Sequence, residues 1–277
     1  MHATTIDGGI EADGDRTTEL KRVDQIRVQH LWMRYGGDTD GVIALADIDF
    51  TVRDGEFVAI VGPSGCGKST LLRILAGLMP PTSGQAELAG SPIDGPRRDI
   101  GVVFQSPVLF PWRTVLANAE LPVDVQGLDR KAMRAKALEL LKLVGLEGFE
   151  SRYPRELSGG MQQRVSLVRA LIHDPALLLM DEPFGALDAM TRETMHIELQ
   201  RIWMERRKTI VFITHSIAEA VFLADRVLVM TPRPGKIGAE LKIDLPRPRA
   251  LDVVNTEIFG SYVRQIRAAL NATGGAL

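Results

Sequence analysis

This chain of 277 residues has a single cysteine, no long apolar run and no large excess of one charge sign. Cys66 is the only cysteine, so no internal disulfide forms, and such sparse use of cysteine suits a reducing compartment. No apolar run approaches the roughly 18–20 residues that a membrane-spanning helix needs. The formal net charge of −2 argues against a nucleic-acid partner held by bulk electrostatics. These absences predict a soluble protein that reaches a membrane only through a partner.

The first residues differ from the rest of the chain. Residues 1–24 carry acidic side chains and no apolar core, which excludes both a signal peptide and a transit peptide. Because such a segment buries little apolar surface, we predict that it is a disordered tail. The chain as a whole has an ordinary globular composition, with 45% hydrophobic and 25% charged residues, and is long enough for a substantial core.

The most informative stretch is a glycine-rich loop between a predicted strand and a predicted helix. It satisfies the P-loop pattern G-x-x-x-x-G-K-[ST] with the residues Gly62-Pro63-Ser64-Gly65-Cys66-Gly67-Lys68-Ser69-Thr70. The glycines let successive N–H groups turn towards an anion, and the helix N-terminus adds a positive dipole. Lys68 would then contact the β- and γ-phosphates, and Ser69 would bind Mg²⁺. A turn that merely joins strand to helix is disfavoured by the flanking pattern, so we predict a nucleoside triphosphate site.

Short apolar runs along the chain predict an α/β fold. Separated by helical patterns, as expected for buried strands of a mainly parallel sheet, they occupy residues 57–61, 102–104, 177–180, 210–213 and 227–230. Interrupted β-branched runs at 25–52 and 85–88 predict a small antiparallel β subdomain beside the nucleotide site. The sequence therefore predicts a P-loop NTPase core with a mainly parallel sheet.

Residues 107–165 lack strand patterning, and we predict a helical subdomain inserted into the α/β core there. Within this segment, apolar residues at helical spacing predict a helix at 129–144, with Asp129 as its N-cap and Gly145 as its stop. A further helix is predicted at 190–207, whose Met and Trp side chains are assigned to the core.

The C-terminal part contains four prolines within seventeen positions, at 232, 234, 246 and 248. Because proline interrupts both helices and strands, we predict that regular structure weakens there. A last helix is predicted around residues 257–270, in a C-terminal extension that covers 246–277.

An acidic pair follows the apolar run at 177–180. Asp181 would hold the Mg²⁺ ion directly or through water, and Glu182 would act as the general base for the attacking water. Two acids that merely end an ordinary strand are the alternative, which the P-loop makes less attractive.

A second glycine-rich helix start precedes this strand, with the residues Leu157-Ser158-Gly159-Gly160-Met161-Gln162-Gln163-Arg164. Its helix N-terminus suits an anion. Since one phosphate-binding loop is already present, the economical interpretation is that Ser158, Gly159 and Gly160 bind the nucleotide of another copy. An N-cap and flexible joint is the alternative.

Together these residues resemble the ATP-binding subunits of ABC transporters, over residues 25–236. The resemblance implies further roles: Tyr35 stacks on adenine, Gln105 senses Mg²⁺ and the attacking water, and His215 contacts the γ-phosphate. It also implies that the loop 186–188 crosses a dimer interface. Each residue also has a plainer interpretation: Tyr35 as a strand-end aromatic, Gln105 as a solvated polar residue, and His215 as a packed or capping histidine.

The resemblance extends to the nitrate/sulfonate/taurine importer branch through residues 106–112, 181–188 and 230–237. In that family the segment after the glutamine receives a helix of the membrane permease, which Phe110 and Trp112 would suit as exposed anchors. Packing of both rings inside the helical segment is the alternative. Ser216 departs from the family, whose members often carry Asp there.

The resemblance implies a domain at 25–245 that binds ATP and Mg²⁺, pairs with a second copy and hydrolyses ATP to drive a permease. Uptake of a small solute such as nitrate, a sulfonate or taurine would follow, with a solute-binding protein as an indirect partner. The subunit would lie on the cytoplasmic face of the inner membrane, with no nucleic-acid partner. Two alternatives remain: a cytosolic ABC ATPase that acts on a macromolecular complex, and a P-loop kinase or GTPase.

Overall fold

The computed structural model describes residues 24–36 and 41–274. The predicted disordered tail at 1–24 lies outside the described residues except for Asp24, which begins the first strand.

The strands, in chain order, are β1 Asp24–Tyr35, β2 Val42–Arg53, β3 Phe57–Val61, β4 Ser83–Leu88, β5 Ser91–Pro92, β6 Ile100–Val103, β7 Leu177–Asp181, β8 Thr209–Ile213, β9 Arg226–Met230 and β10 Ile237–Lys242. The helices are α1 Lys68–Leu75, α2 Val115–Ala119, α3 Leu121–Gln126, α4 Arg130–Leu143, α5 Gly159–Leu171, α6 Ala189–Arg206, α7 Ile217–Leu223 and α8 Glu257–Ala272. Short 3-10 turns lie at Pro154–Glu156 and Leu251–Asn255. Within the described ranges, no helix is long and apolar enough to cross a bilayer.

The larger sheet has six strands in the order β10-β9-β3-β8-β7-β6. All its neighbouring pairs are parallel except β10 with β9. Every residue of β3, β7 and β8 is buried, because α1 and the smaller sheet cover one face and helices cover the other. This explains their continuous apolar runs. The parallel register places the carboxyl ends of these three strands side by side, where ligands of such sheets bind.

The smaller sheet has four antiparallel strands in the order β2-β1-β4-β5. It docks beside the larger sheet through backbone hydrogen bonds, in which Ala46 N–H donates to the Gly235 carbonyl at 2.9 Å and Gly235 N–H to that of Ala44 at 3.0 Å. The predicted α/β fold, with a mainly parallel sheet and a small antiparallel one, is confirmed.

The described segment between β6 and β7 contains four α-helices, α2 to α5. Asp129 caps α4 and accepts hydrogen bonds from the N–H groups of Lys131 at 2.8 Å and Ala132 at 3.4 Å. Gly145 follows the end of α4 with a φ of 68°, a left-handed conformation that glycine adopts without strain. Helix α5 packs Val165 and Val168 into the main hydrophobic core.

The prediction that regular structure weakens after β9 is wrong for residues 237–242. They form β10, an edge strand whose side chains alternate between half-buried and exposed positions. Its Gly, Ala, Glu and Lys residues have low strand propensity, so pairing with the buried strand β9 decides its conformation.

Arg249 anchors the C-terminal extension. Its buried guanidinium donates hydrogen bonds to the carbonyl oxygens of Val221, Phe222 and Ala224 at 2.8–3.0 Å, which satisfies the C-terminal end of α7. Burial, together with the neighbouring Arg247, lowers the pKa of Arg249 to about 9. The last helix, α8, then packs Phe259, with Ile266 and Leu270, into the core.

Candidate functional site

A cleft of about 820 Å³ lies at the carboxyl end of β3, a size that suits a nucleotide. It is lined by Tyr35, Val42, Ala44, Gly62, Ser64, Gly65, Gly67, Lys68, Ser69, Thr70, Gln105, Glu182, His215 and Arg233. The fold therefore brings most of the predicted site residues together, although they come from five separate parts of the chain.

The glycine-rich loop wraps around its own lysine. The buried Nζ of Lys68 donates hydrogen bonds to the carbonyl oxygens of Gly62 at 2.7 Å and Pro63 at 2.9 Å. A Cβ at Gly67 would lie 2.6 Å from the Leu45 side chain, and its φ of 109° is closed to other residues, so only glycine fits. The loop therefore holds a cation at the start of α1, where anions bind.

Two members of the loop do not present their side chains to the cleft. Cys66 is almost fully buried, with its Sγ 3.8 Å from Lys68 Nζ. Its N–H group donates to the Pro63 carbonyl at 3.4 Å. Neither Cys66 nor Pro63 is among the residues that line the cleft.

Asp181 ends β7 as a buried carboxyl beside the loop. Burial raises the pKa of Asp181, and the hydrogen bond from Ser69 and the charge of Lys68 act against this rise. A buried carboxylate and a hydroxyl are oxygen ligands of the kind that Mg²⁺ prefers. Gln105 adds an amide oxygen on the same cleft. This donor set fits a magnesium ion.

Glu182 is the point on which two other predicted residues converge. Gln105 Nε2 donates a hydrogen bond to Glu182 Oε2 at 3.2 Å, and His215 Nδ1 lies 3.2 Å from the same oxygen. The backbone of Glu182 has a φ of 46°, which is unfavourable for a residue with a Cβ. This conformation turns the chain away from the direction of β7. The N–H group of Glu182 donates to the Ile213 carbonyl at 2.9 Å, which fixes this turn.

Tyr35 lies at the end of β1 with 38% of its surface exposed. Its hydroxyl is 3.1 Å from Thr70 Oγ1 and 3.5 Å from Met79 Sδ. These contacts hold the ring at the rim of the cleft, beside the exposed side chain of Val42. The position suits a flat aromatic ligand.

Arg233 lines the cleft, and the sequence analysis missed it. Its guanidinium donates a hydrogen bond to the Gly65 carbonyl at 3.2 Å. It belongs to the segment 230–237, which sequence comparison singles out only as a mark of one family branch. A cation directly after the first proline beyond β9 was the available signal, since β9 ends beside β3.

The second glycine-rich helix start does not line this cleft. Ser158 caps α5, and its Oγ accepts a hydrogen bond from the N–H group of Met161 at 3.3 Å. Ser158 and Gly159 are exposed. A Cβ at Gly160 would lie 2.9 Å from Leu187 Cδ2, so glycine allows the loop 186–188 to approach closely.

Ser216, which departs from the common family residue, caps α7. Its Oγ accepts a hydrogen bond from the N–H group of Glu219 at 3.3 Å. Serine and aspartate are both good N-caps, so the helix start is preserved despite the substitution.

Of the two aromatic residues whose burial the sequence did not decide, Trp112 lies at the surface and Phe110 is half-buried beside it. Trp112 is 71% exposed, and its ring stacks on that of Phe110 with centroids 5.1 Å apart. Arg169 holds the preceding backbone, donating to the carbonyl oxygens of Pro107 and Val108 at 2.8 Å. Leu109 packs against the core. Burial of both rings inside the helical segment is therefore wrong.

Comparison with known families decides the identity of the chain. A family model described as ABC transporter matches residues 45–185. The chain belongs to this family. Within it, the chain is an ATP-binding subunit and an ATPase.

Similar proteins support the assignment. The taurine import ATP-binding protein TauB of Burkholderia pseudomallei is 48% identical over 79% of this chain and 84% of its own length. TauB of Rhizobium johnstonii is 46% identical over 87% of this chain and 92% of its own length. An uncharacterized ABC transporter ATP-binding protein of Methanocaldococcus jannaschii is 48% identical over 85% of this chain and 90% of its own.

A solved structure has the same fold. The ATP-binding cassette MJ0796, in a dimeric post-hydrolysis state bound to ADP and Pi, superposes with a TM-score of 0.73 at 34% identity. The match covers 80% of this chain and 100% of that cassette.

Proposed function

We propose that this chain is the ATP-hydrolysing subunit of an importer, which closes as a dimer around ATP and Mg²⁺ and drives a membrane permease. The observation that carries the proposal is the convergence of Gln105 and His215 on Glu182, beside the buried Asp181 and above the Lys68 loop. In phosphoryl transfer a protein mainly positions groups and stabilises charge, and this set of side chains suits both tasks.

The residues of the cleft divide the work. Lys68 and the N–H groups at the start of α1 bind the phosphates, and the ring of Tyr35 stacks on adenine. Glu182 accepts a proton from the attacking water, which Gln105 and His215 help to orient. A magnesium ion held by Ser69, Asp181 and Gln105 would neutralise phosphate charge.

The second half of each site comes from another copy. Ser158, Gly159 and Gly160 lie outside the cleft of their own chain, and the first two are exposed. A helix N-terminus in this position can receive the γ-phosphate of a facing protomer. The dimeric state of the similar cassette supports the same arrangement. Hydrolysis then requires closure, which ties the chemistry to a motion.

The stacked pair of Phe110 and Trp112 is the surface on which we place the permease. Exposed aromatic side chains are frequent anchors of protein interfaces, and the backbone beneath them is held by Arg169. The subunit would thus lie on the cytoplasmic face of the inner membrane. The names of the TauB relatives favour taurine or another small sulfonate as the solute. We expect a solute-binding protein to deliver it to the permease.

Site-specific crosslinking tests the proposal. A photoreactive amino acid at position 112 should crosslink to an integral membrane protein in cells. The same group at Val125, which is equally exposed in the helical segment, is the control and should not. Equal crosslinking at both positions, or none at position 112 while the protein stays in the soluble fraction, would contradict a permease partner.

A further inference from the structure

A buried polar network centred on Glu219 lies next to the proposed site. Glu219 is on α7 and is only 8% exposed. Its Oε2 accepts a hydrogen bond from Thr214 Oγ1 at 2.6 Å. Its Oε1 faces two cationic or potentially cationic groups of α6, with His196 Nε2 at 3.5 Å and Arg192 Nε at 3.8 Å. One carboxylate therefore joins the end of β8 to helix α6.

On one side the network holds both neighbours of His215. The N–H group of Ser216 donates to Thr214 Oγ1 at 3.0 Å, and Ser216 Oγ accepts from the Glu219 N–H group at 3.3 Å. The His215 ring itself is 65% exposed and has its Nδ1 beside Glu182. The direction of this exposed ring is therefore set by the two residues around it, and both are bonded to the network.

On the other side the network reaches the loop 186–188. Arg192 donates a hydrogen bond from Nη2 to the Leu187 carbonyl at 2.9 Å, while its Nε faces Glu219. Leu187 in turn contacts Gly160, at the start of α5. A continuous path of contacts thus runs from the surface proposed to face a second copy to the histidine beside the γ-phosphate.

Part of this path is incomplete. Arg192 Nε and His196 Nε2 are buried and have no hydrogen-bond partner in the part of the chain that the structure describes, although both face Glu219 Oε1. Unpaired buried polar atoms are costly, so an arrangement that shortens either distance is favourable. Burial acts to raise the pKa of Glu219, but its contacts with His196, Thr214 and Arg192 outweigh this and hold the pKa below its ordinary value. The carboxylate is therefore charged at neutral pH and attracts both groups.

We propose that Glu219 and Arg192 are positioning residues that couple the placement of the loop 186–188 to that of His215. When a second copy displaces the loop, Arg192 closes on Glu219, and Thr214 and Ser216 orient the histidine for hydrolysis. Neither residue is among those that line the cleft. The inference rests on the proposed function of the same site, because it assigns the loop to a dimer interface.

Steady-state ATP hydrolysis by the purified full chain tests the coupling. Glu219→Gln and Arg192→Gln should each lower kcat about 2- to 30-fold while the KM for ATP changes less than about 2-fold. Because Arg192 acts through Glu219, the double variant should be no slower than Glu219→Gln alone. Arg201→Gln is the matched control, since Arg201 pairs with Glu205 on the exposed face of the same helix, and should keep full activity.

Two substitutions of Thr214 separate the loss of its hydroxyl from general misfolding. Thr214→Val removes the hydroxyl that bonds Glu219 and should lower kcat, whereas Thr214→Ser keeps it and should restore activity. Additive losses in the double variant, equal losses in Thr214→Ser and Thr214→Val, or an equal loss in Arg201→Gln would overturn the inference.

A second measurement does not depend on turnover. In the histidine ring NMR spectrum of the nucleotide-free protein, the His215 signal is identified by its loss in His215→Gln. Thr214→Val and Glu219→Gln should shift this signal, and Arg201→Gln should not; an unmoved signal in the first two would overturn the inference. A wild-type protein without ATPase activity would refute the proposed function, while this spectrum would still decide the coupling.

Discussion

Helices α1 and α5 both begin at glycine-rich turns, yet their surroundings differ. Among the described residues, the start of α1 has no side-chain cap; it encloses the charge of Lys68 and lies in a cleft lined by the carboxylate of Glu182, with Asp181 buried beside Ser69. The start of α5 is capped by Ser158 and exposed. The comparison teaches that a helix N-terminus becomes a nucleotide site only when a cation, a metal ligand and a base surround it. We propose that the start of α5 completes such a site only when a second copy faces it.

Removal of the base on the α1 side should have the largest effect. Glu182→Gln keeps the hydrogen bond with Gln105 but cannot accept a proton, so kcat should fall about 10²- to 10⁴-fold. ATP binding should be retained, and an ATP-bound dimer should accumulate. Phosphate release and size-exclusion chromatography measure the two effects. Near-normal hydrolysis would remove Glu182 from its proposed role.

A change on the α5 side should separate binding from hydrolysis. Ser158→Tyr blocks the exposed helix start, so hydrolysis should fall at least about tenfold. The affinity for ATP should change little, because Ser158 lies outside its own cleft. Lys68→Ala should instead lose binding.

Mixing those two variants tests whether the halves come from different copies. A heterodimer of Ser158→Tyr and Lys68→Ala has one site with both defects and one intact site, so part of the activity should return. No recovery under conditions in which heterodimers form would argue that α5 serves its own chain.

Tyr35 should have a smaller effect, confined to binding. Tyr35→Ala removes an aromatic surface at the rim of the cleft and should weaken ATP binding about 3- to 10-fold, the range of one aromatic contact. Tyr35→Phe keeps the ring and loses only the hydroxyl contacts with Thr70 and Met79, so it should bind almost normally. If Tyr35→Ala and the wild-type protein bind a fluorescent nucleotide with equal affinity, the adenine ring does not stack on Tyr35.

The smallest effect should be a gain in stability. Since burial raises the pKa of Asp181, the carboxyl favours folding below its ordinary pKa of 3.8 and opposes it as pH rises through the folded-state value. Asp181→Asn should therefore raise the melting temperature of the nucleotide-free protein at pH 7 by about 2–4 °C, as expected for ~1 kcal/mol in a protein of this size. The gain should shrink as the pH falls towards 3.8.

Asp188 provides the control of opposite sign. Hydrogen bonds from Thr191 lower the pKa of Asp188, so its charged form favours folding above its ordinary value. Asp188→Asn should lower the melting temperature at pH 7, and this loss should disappear in acid. A rise for both variants would show that burial of Asp181 is not the cause.

The sequence predicted the α1 side well because its determinants are local. The spacing of Gly62, Gly67 and Lys68 constrains one loop, and the apolar run of β7 fixes where Asp181 and Glu182 emerge. The strand β10 and the role of Arg233 were missed, because both depend on which strands become neighbours. The inward orientation of Cys66 depends on the packing under the loop, which spacing does not encode.

The network around Glu219 could not be predicted from the sequence for the same reason. Its members lie on α6, β8 and α7, and no short motif joins them. They become neighbours only because β8 lies beside β7 in the sheet.

The buried Arg249 has a practical consequence for anyone who shortens this protein. A version cut after residue 245 would lack Arg249, so three carbonyl groups at the end of α7 would lose their donor. It would also lack Phe259, which leaves the core residues around that ring uncovered. Reporter proteins and affinity tags should therefore be attached beyond residue 274, so that the hydrogen bonds of Arg249 stay intact.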